Sequence, residues 1–121
     1  MLCQLLDMLW SDPQQKDGCR PNVFRGGGCY FGPDVTRRLL SREHLVRLIR
    51  SHECCQEGWR LSHEGRVITV FSASNYYGQG SNYGAVLVLT PSTLEPGTKI
   101  EPEAVFDESR EAVEWDFAYS T

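Results

Sequence analysis

No stretch of the 121 residues approaches the roughly 20 consecutive apolar positions that cross a bilayer. No membrane-spanning helix is therefore expected. Met1-Leu2-Cys3-Gln4 lacks the basic segment that opens a secretory signal, so the expectation is an intracellular chain, cytoplasmic or nuclear. Basic charge is also short: 12 Lys and Arg face 16 Asp and Glu, a formal net charge of -4. Nucleic-acid surfaces are strongly basic with clustered Lys and Arg, and that partner class is excluded. The five cysteines, Cys3, Cys19, Cys29, Cys54 and Cys55, are odd in number and form no spaced disulfide framework, which points to reduced thiols.

The familiar metal and nucleotide motifs are missing too. His52-Glu53 and His63-Glu64 each begin a His-Glu-x-x-His zinc motif, but Gln56 and Val67 stand where the second histidines belong. No Gly-Lys-Ser or Gly-Lys-Thr closes a P-loop. Cys54-Cys55 lacks Cys-x-x-Cys spacing and a matching pair.

What is present is a series of segments that each end in polar groups. Residues 5–10 are almost wholly apolar and suit either a buried strand or a short helix. Ser11-Asp12-Pro13 stops them, and 14–25 read as a long surface loop. Arg25 then opens the triplet Gly26-Gly27-Gly28, where bare backbone lets an anion come near a guanidinium that matches two of its oxygens. A solvated arginine before a flexible turn fits the same residues.

Pro33 and Asp34 start a helix whose buried face would carry Val35, Leu39 and Leu40, with Ser41 capping a second short helix through Glu43 and His44. Val46, Leu48 and Ile49 lead into a strand that delivers Arg50 and His52. A histidine just past a strand end is rigidly aimed, as a metal ligand or as a hydrogen-bonded structural residue.

Residues 59–62 and 66–71 flank Glu64-Gly65 as a β-hairpin. The second strand runs out at Ser72-Ala73-Ser74-Asn75-Tyr76, where Asn75 and Tyr76 offer donors to an oxyanion, or simply pack. Asp12 would orient a cation or accept backbone bonds in its turn. A glycine-rich loop over 78–84 precedes a last buried strand over 85–89. From 91 to 121 the composition turns acidic and proline-containing. We divide the chain into a packed region, 1–90, and this tail, 91–121, whose disorder is expected unless 105–106 or 113–117 dock.

Together, Leu9-Trp10-Ser11-Asp12-Pro13, Arg25-Gly26 with Phe31-Gly32, Arg50-Ser51-His52-Glu53 and Phe71-Ser72-Ala73-Ser74-Asn75-Tyr76 closely resemble the C-terminal half of the phosphoprotein phosphatase catalytic domain. This is the serine/threonine phosphatase family that includes calcineurin. Residues 25–34, 50–53 and 72–77 look most like its EF-hand-bearing branch, whereas many relatives carry Pro at the position of Ser74 and Cys at that of Tyr77.

The resemblance implies an α/β fold of the α+β kind, part of the calcineurin-like metallophosphoesterase fold: a β-sandwich of mixed sheets flanked by helices, its C-terminal half only. It further implies hydrolysis of phosphoserine and phosphothreonine in protein substrates by water activated between two divalent metal ions, Mn, Fe or Zn, about 3.5–4 Å apart. His52 matches a metal ligand, Arg25 and Tyr76 match phosphate-binding residues, and Asn75, Arg50 and Asp12 match supporting positions.

The family's Gly-Asp-x-His-Gly, Gly-Asp-x-x-Asp-Arg-Gly and Gly-Asn-His-Glu motifs, which supply the remaining ligands and the general acid, do not occur in this sequence. The chain alone is therefore expected to be inactive and poorly soluble, exposing faces that the missing N-terminal half would cover. No Asp-x-Asp-x-Asp-Gly loop occurs either, so calcium binding is not supported. A truncated, non-catalytic product that binds phosphatase partners or competes for them is the alternative.

Overall fold

The computed structural model describes residues 2–89 and 103–105. The apolar opening resolves as a helix, α1 (Leu2–Trp10). It stops where Asp12 and Pro13 form a two-residue strand, β1 (Asp12–Pro13). Proline has no N–H to donate to a ladder and is confined to such short or edge positions.

The stretch over 14–25 is not wholly loop. Cys19–Pro21 forms β2 and pairs antiparallel with β3 (Cys29–Phe31), placing Arg20 opposite Tyr30. The Arg20 guanidinium lies 4.4 Å from the Tyr30 ring centroid, a cation–π contact that favours this register. β1 pairs parallel with the other edge of β3, giving a mixed sheet in the order β1-β3-β2. No apolar periodicity marks β2, whose three residues are all exposed.

α2 (Pro33–Arg42) begins as expected, with Gly32 at its N-cap and Pro33 in its first turn. The Asp34 carboxylate accepts from the Gly18 N–H at 2.7 Å, tying the helix start to the β2 entry. The inward face differs from the expected one: Thr36 and Leu40 are buried, whereas Val35 and Leu39 are only half-buried. The expected second helix is absent. Ser41 and Arg42 continue α2, Glu43 is its C-cap, and His44 turns left-handed at φ 53°. A Ser can cap only where the helix has ended, and here the i to i+4 ladder runs through it.

β4 (Leu48–Arg50), β5 (Trp59–Ser62) and β6 (Val67–Val70) form the second mixed sheet, β4-β6-β5. β4 runs parallel to β6 with Arg50 opposite Thr69, and β5 and β6 make the anticipated hairpin with Ser62 opposite Val67. Val67, Ile68 and Thr69 of the central strand are fully buried and form the middle of the core with Leu40, Cys55 and Ala85. The hairpin turn takes three successive left-handed residues, His63, Glu64 and Gly65.

The last strand is shorter and more open than its apolar run suggests. β7 (Gly84–Val86) hydrogen-bonds to the end of β6 through Ala85 N–H and Phe71 O at 2.9 Å, while Val86, Val88 and Leu89 remain exposed. It pairs antiparallel with β8 (Glu103–Val105), which falls within the stretch assigned to the acidic tail. The rest of 91–121, including 113–117, lies outside the described residues. The mixed α/β class and the mixed sheets are as anticipated, built from three small sheets and two helices among the described residues.

Candidate phosphate-binding site

Four segments converge at one end of the two mixed sheets: the end of α1 with β1, the 22–28 turn, the end of β4 and the start of β5. A chain of alternating charges holds them together. Asp12 is buried and accepts from Arg25 Nε at 2.6 Å and from Arg50 Nη2 at 2.8 Å. Arg50 Nη1 continues the chain to the Glu53 carboxylate, which also accepts from Arg60 Nη2 at 2.7 Å. Arg50 Nη2 additionally bonds the Ser11 carbonyl at 3.1 Å, anchoring β4 to the α1–β1 corner. Three guanidinium groups share two carboxylates, so the cluster keeps a net positive charge.

Burial alone would push the Asp12 carboxyl up, but hydrogen bonds from Arg25 and Asn22 and the charges of Arg25 and Arg50 outweigh it and hold Asp12 below the usual carboxylate range. It stays an anion and fixes both arginines. The Arg25 guanidinium spends Nε and Nη2 on Asp12, and Nη2 also donates to the His52 carbonyl at 3.1 Å. Among the described residues its Nη1 makes no hydrogen bond.

The turn that carries Arg25 needs glycine at two positions, Gly26 and Gly28, whose φ values of 69° and 70° are left-handed. Gly28 sits at φ 70°, where a Cβ would come 2.6 Å from the Trp10 carbonyl carbon, so this glycine lets the turn close against the end of α1. At Gly26 and Gly27 a Cβ would meet nothing within 4 Å. Open space therefore borders the turn at these two positions, next to Arg25 in sequence.

His52 adopts φ 79°, an uncommon conformation for a residue other than glycine. Such strain persists where the surroundings over-determine it, and here Arg25 grips its carbonyl while its ring meets Trp10 edge-on at 5.3 Å between centroids. Desolvation first, then the Arg25 charge, pushes the imidazole below its ordinary value. A neutral ring with a free lone pair is the form that ligates metal.

Further metal donors are wanting. The neighbouring carboxylates Asp12 and Glu53 are taken up by arginines, and among the described residues no group of three or more His, Cys, Asp and Glu could hold an ion. On its own this donor set does not fit a two-metal centre.

Asn75 and Tyr76 form a second group in the loop after β6. Asn75 is left-handed at φ 54°, a region asparagine tolerates, and its Oδ1 accepts from Gly80 N–H at 2.7 Å. The Tyr76 ring packs edge-on against Phe71 and Tyr77 at 5.1 and 4.9 Å, and the residue is more than half exposed. Among the described residues no hydrogen bond, ion pair or ring contact joins this loop to the Arg25 cluster. The structure thus brings together Asp12, Arg25, Arg50 and His52 of the predicted set and leaves Asn75 and Tyr76 apart.

Three members were missed. Glu53 and Arg60 extend the charge chain, and Asn22 is buried against Asp12. The Arg50-x-x-Glu53 spacing was a readable sign of the first pair. Asn22 had none, lying in a stretch that reads as plain loop.

No family model matches the chain. The mouse (Mus musculus) serine/threonine-protein phosphatase with EF-hands 1 is 62% identical over 91 residues, which are 75% of this chain and 14% of that protein. The Drosophila melanogaster serine/threonine-protein phosphatase rdgC is 54% identical over 86 residues, 71% of this chain and 13% of the relative. Among solved structures, a protein serine/threonine phosphatase from Saccharomyces cerevisiae, described as similar to human phosphatase PP5, superposes with a TM-score of 0.73 at 32% identity, covering 87% of this chain and 34% of its own. The chain thus spans only 14% and 13% of the length of these two curated relatives. Shared sequence over most of its own length, in a shared fold, makes this chain a member of the serine/threonine-protein phosphatase family, of which it carries a segment.

Proposed function

We propose that the chain is the phosphate-capturing part of a phosphoprotein phosphatase, acting on phosphoserine and phosphothreonine only within a complete catalytic domain. The observation that carries this reading is Arg25, held by buried Asp12 at 2.6 Å beside an open glycine turn and bonded to the carbonyl of His52. A guanidinium fixed in this way presents its remaining N–H groups to an anion without a further ordering cost. Among the described residues His52 would be the one ligand toward the two divalent ions, Mn, Fe or Zn, of the complete domain. When bound, those ions would supply Lewis-acid activation of water. The chemistry of this chain's own residues is the capture and orientation of phosphate.

Tyr76 and Asn75 belong to the same proposal as a second wall of the phosphate pocket, brought toward Arg25 in the complete domain. The packed region 1–90, the acidic segment 91–121 and a cytoplasmic or nuclear location complete the reading. A second reading, a non-catalytic product that binds phosphatase partners, is favoured by the exposed apolar residues of α1, Leu5, Met8 and Leu9.

Mn²⁺-dependent hydrolysis of p-nitrophenyl phosphate, measured for the purified chain beside Arg25→Ala and His52→Ala, tests the first reading. All three should show the same background rate. Activity of the unsubstituted chain that both substitutions abolish would mean that its residues suffice to hold the metals, and the inactive-segment reading would fall.

A further inference from the structure

We infer that Asn22 is a positioning residue for phosphate capture, acting on Arg25 from two sides; this rests on the reading of Arg25 as the phosphate-binding group. Asn22 is 2% exposed, although it sits in a polar turn between two well-exposed residues, Pro21 and Val23. Two of its three side-chain hydrogen bonds go to Asp12 and Arg25. Its Nδ2 donates to Asp12 Oδ2 at 2.8 Å, the same oxygen that accepts Arg25 Nε at 2.6 Å, and reaches the Trp10 carbonyl at 3.4 Å. Its Oδ1 accepts the backbone N–H of Arg25 at 3.2 Å. Its own N–H donates to Gly28 O and its carbonyl accepts Gly26 N–H, both at 3.1 Å, so it closes both ends of the glycine turn.

The side chain therefore controls two variables at once. Through Oδ1 it sets where the Arg25 backbone leaves the turn. Through Nδ2 it sets which face of Asp12 is turned to the guanidinium, because the amide and the guanidinium must share one carboxylate oxygen. An amide is the group that does both: a carboxylate lacks the donor and an apolar side chain lacks both partners. Losing the Oδ1 bond leaves the Arg25 backbone N–H without that acceptor, and losing the Nδ2 bond leaves Asp12 Oδ2 held by Arg25 Nε alone, which frees the guanidinium to rotate away from the anion. Asn22 is buried and its side-chain amide is bonded within the protein, to Trp10, Asp12 and Arg25, so its effect passes through Arg25.

The test uses the 121-residue chain, titrated with inorganic phosphate and followed by the Arg25 Nε–Hε resonance in NMR spectra, with Asn22→Ala and Asn22→Asp. The unsubstituted chain should show a slowly exchanging, downfield Arg25 Hε. Asn22→Ala should move that resonance toward solvent-exposed arginine and weaken phosphate binding about tenfold, the worth of one hydrogen bond to a charged group. Asn22→Asp keeps the acceptor for the Arg25 N–H but sets two carboxylates against each other, faced by Arg25 and Arg50. One shared proton can replace the amide donor there, as in other close carboxylate pairs. Its phosphate affinity relative to the unsubstituted chain should therefore recover at pH 5 compared with pH 8, a signature that a merely structural role would not give.

An unmoved Hε and unchanged affinity in Asn22→Ala would overturn the inference. Were Asn22→Ala to unfold, a pH-independent affinity ratio in Asn22→Asp would overturn it instead. Absence of phosphate binding by the unsubstituted chain would sink the reading of Arg25, and the Hε resonance would still decide whether Asn22 positions it.

Discussion

At the scale of single residues, Asp12 carries the most. Among the described residues it is the one carboxylate that touches both Arg25 and Arg50, and the three side chains are 7%, 18% and 12% exposed. Removing one partner of a buried charge cluster costs more than the cluster contributes net, because the other charges are left without compensation. Asp12→Ala should accordingly lower the unfolding free energy by about 3–5 kcal/mol, read from urea unfolding at pH 7. Acid should show the same dependence. The folded-state carboxyl lies below its ordinary value of 3.8, so its contribution is complete above the unfolded value and is lost as pH falls through the lower folded value. The stability gap between the unsubstituted chain and Asp12→Asn should hold constant from pH 7 to about 5 and close as pH drops below about 4. A gap that widened in acid would mean that Asp12 is not stabilised as an anion.

At the scale of elements, the hairpin turn between β5 and β6 ties the two mixed sheets together through His63. Its ring is buried, with Nε2 2.8 Å from the Gln14 carbonyl and Nδ1 2.8 Å from Thr36 Oγ1 on α2, and it meets Phe31 edge-on at 5.7 Å. A carbonyl only accepts, so Nε2 carries the proton and, in the neutral ring, Nδ1 accepts from the Thr36 hydroxyl. His63→Ala should cost about 2–4 kcal/mol by leaving two polar groups buried and a cavity beneath the turn, whereas His44→Ala, at an exposed position after α2, should cost no more than about 1 kcal/mol, the strain of alanine at its φ of 53°. Equal effects in chemical denaturation would contradict the assignment. The hairpin itself was legible from β-branched residues around Glu64-Gly65, and so was the start of α2 from Pro33 and Asp34. The role of His63 was not, because a lone histidine in a turn carries no sign of the α2 residue that meets it 27 positions away. For the same reason β2 was read as loop: its three exposed residues have no apolar pattern, and its pairing is decided by Arg20 stacking on Tyr30. The site was legible at Arg50 and His52, which are close both in sequence and in space, and it failed for Asn22, whose partners outside its own turn, Trp10 and Asp12, lie 12 and 10 positions upstream.

At the scale of the molecule, a small core has to hold a surface that is unusually apolar. The buried hydrophobic side chains of the described residues are Leu40, Cys55, Val67, Ile68 and Ala85, whereas Met8, Leu9, Val23 and Phe24 are exposed by 64–85%. Leu5, Met8 and Leu9 recur at i, i+3 and i+4, so α1 presents one continuous apolar stripe that nothing among the described residues covers. Patches of this kind drive association, and a chain that spans 14% of its mouse relative brings little of that relative's sequence with which to cover one. Self-association through α1 is therefore expected at micromolar concentration, visible in sedimentation velocity as a shift above the monomer. Replacing Leu5 by Glu and Leu9 by Lys separates this effect from net charge, since the formal total stays at -4. The pair also stands in the favourable i to i+4 order, acid toward the helix N-terminus and base toward its C-terminus, so α1 should lose no helicity by circular dichroism. The double variant should sediment as a monomer with the same unfolding midpoint. If it associates as strongly as the parent, the adhesive surface is not α1, and the exposed Val23-Phe24 turn beside Arg25 becomes the next face to charge.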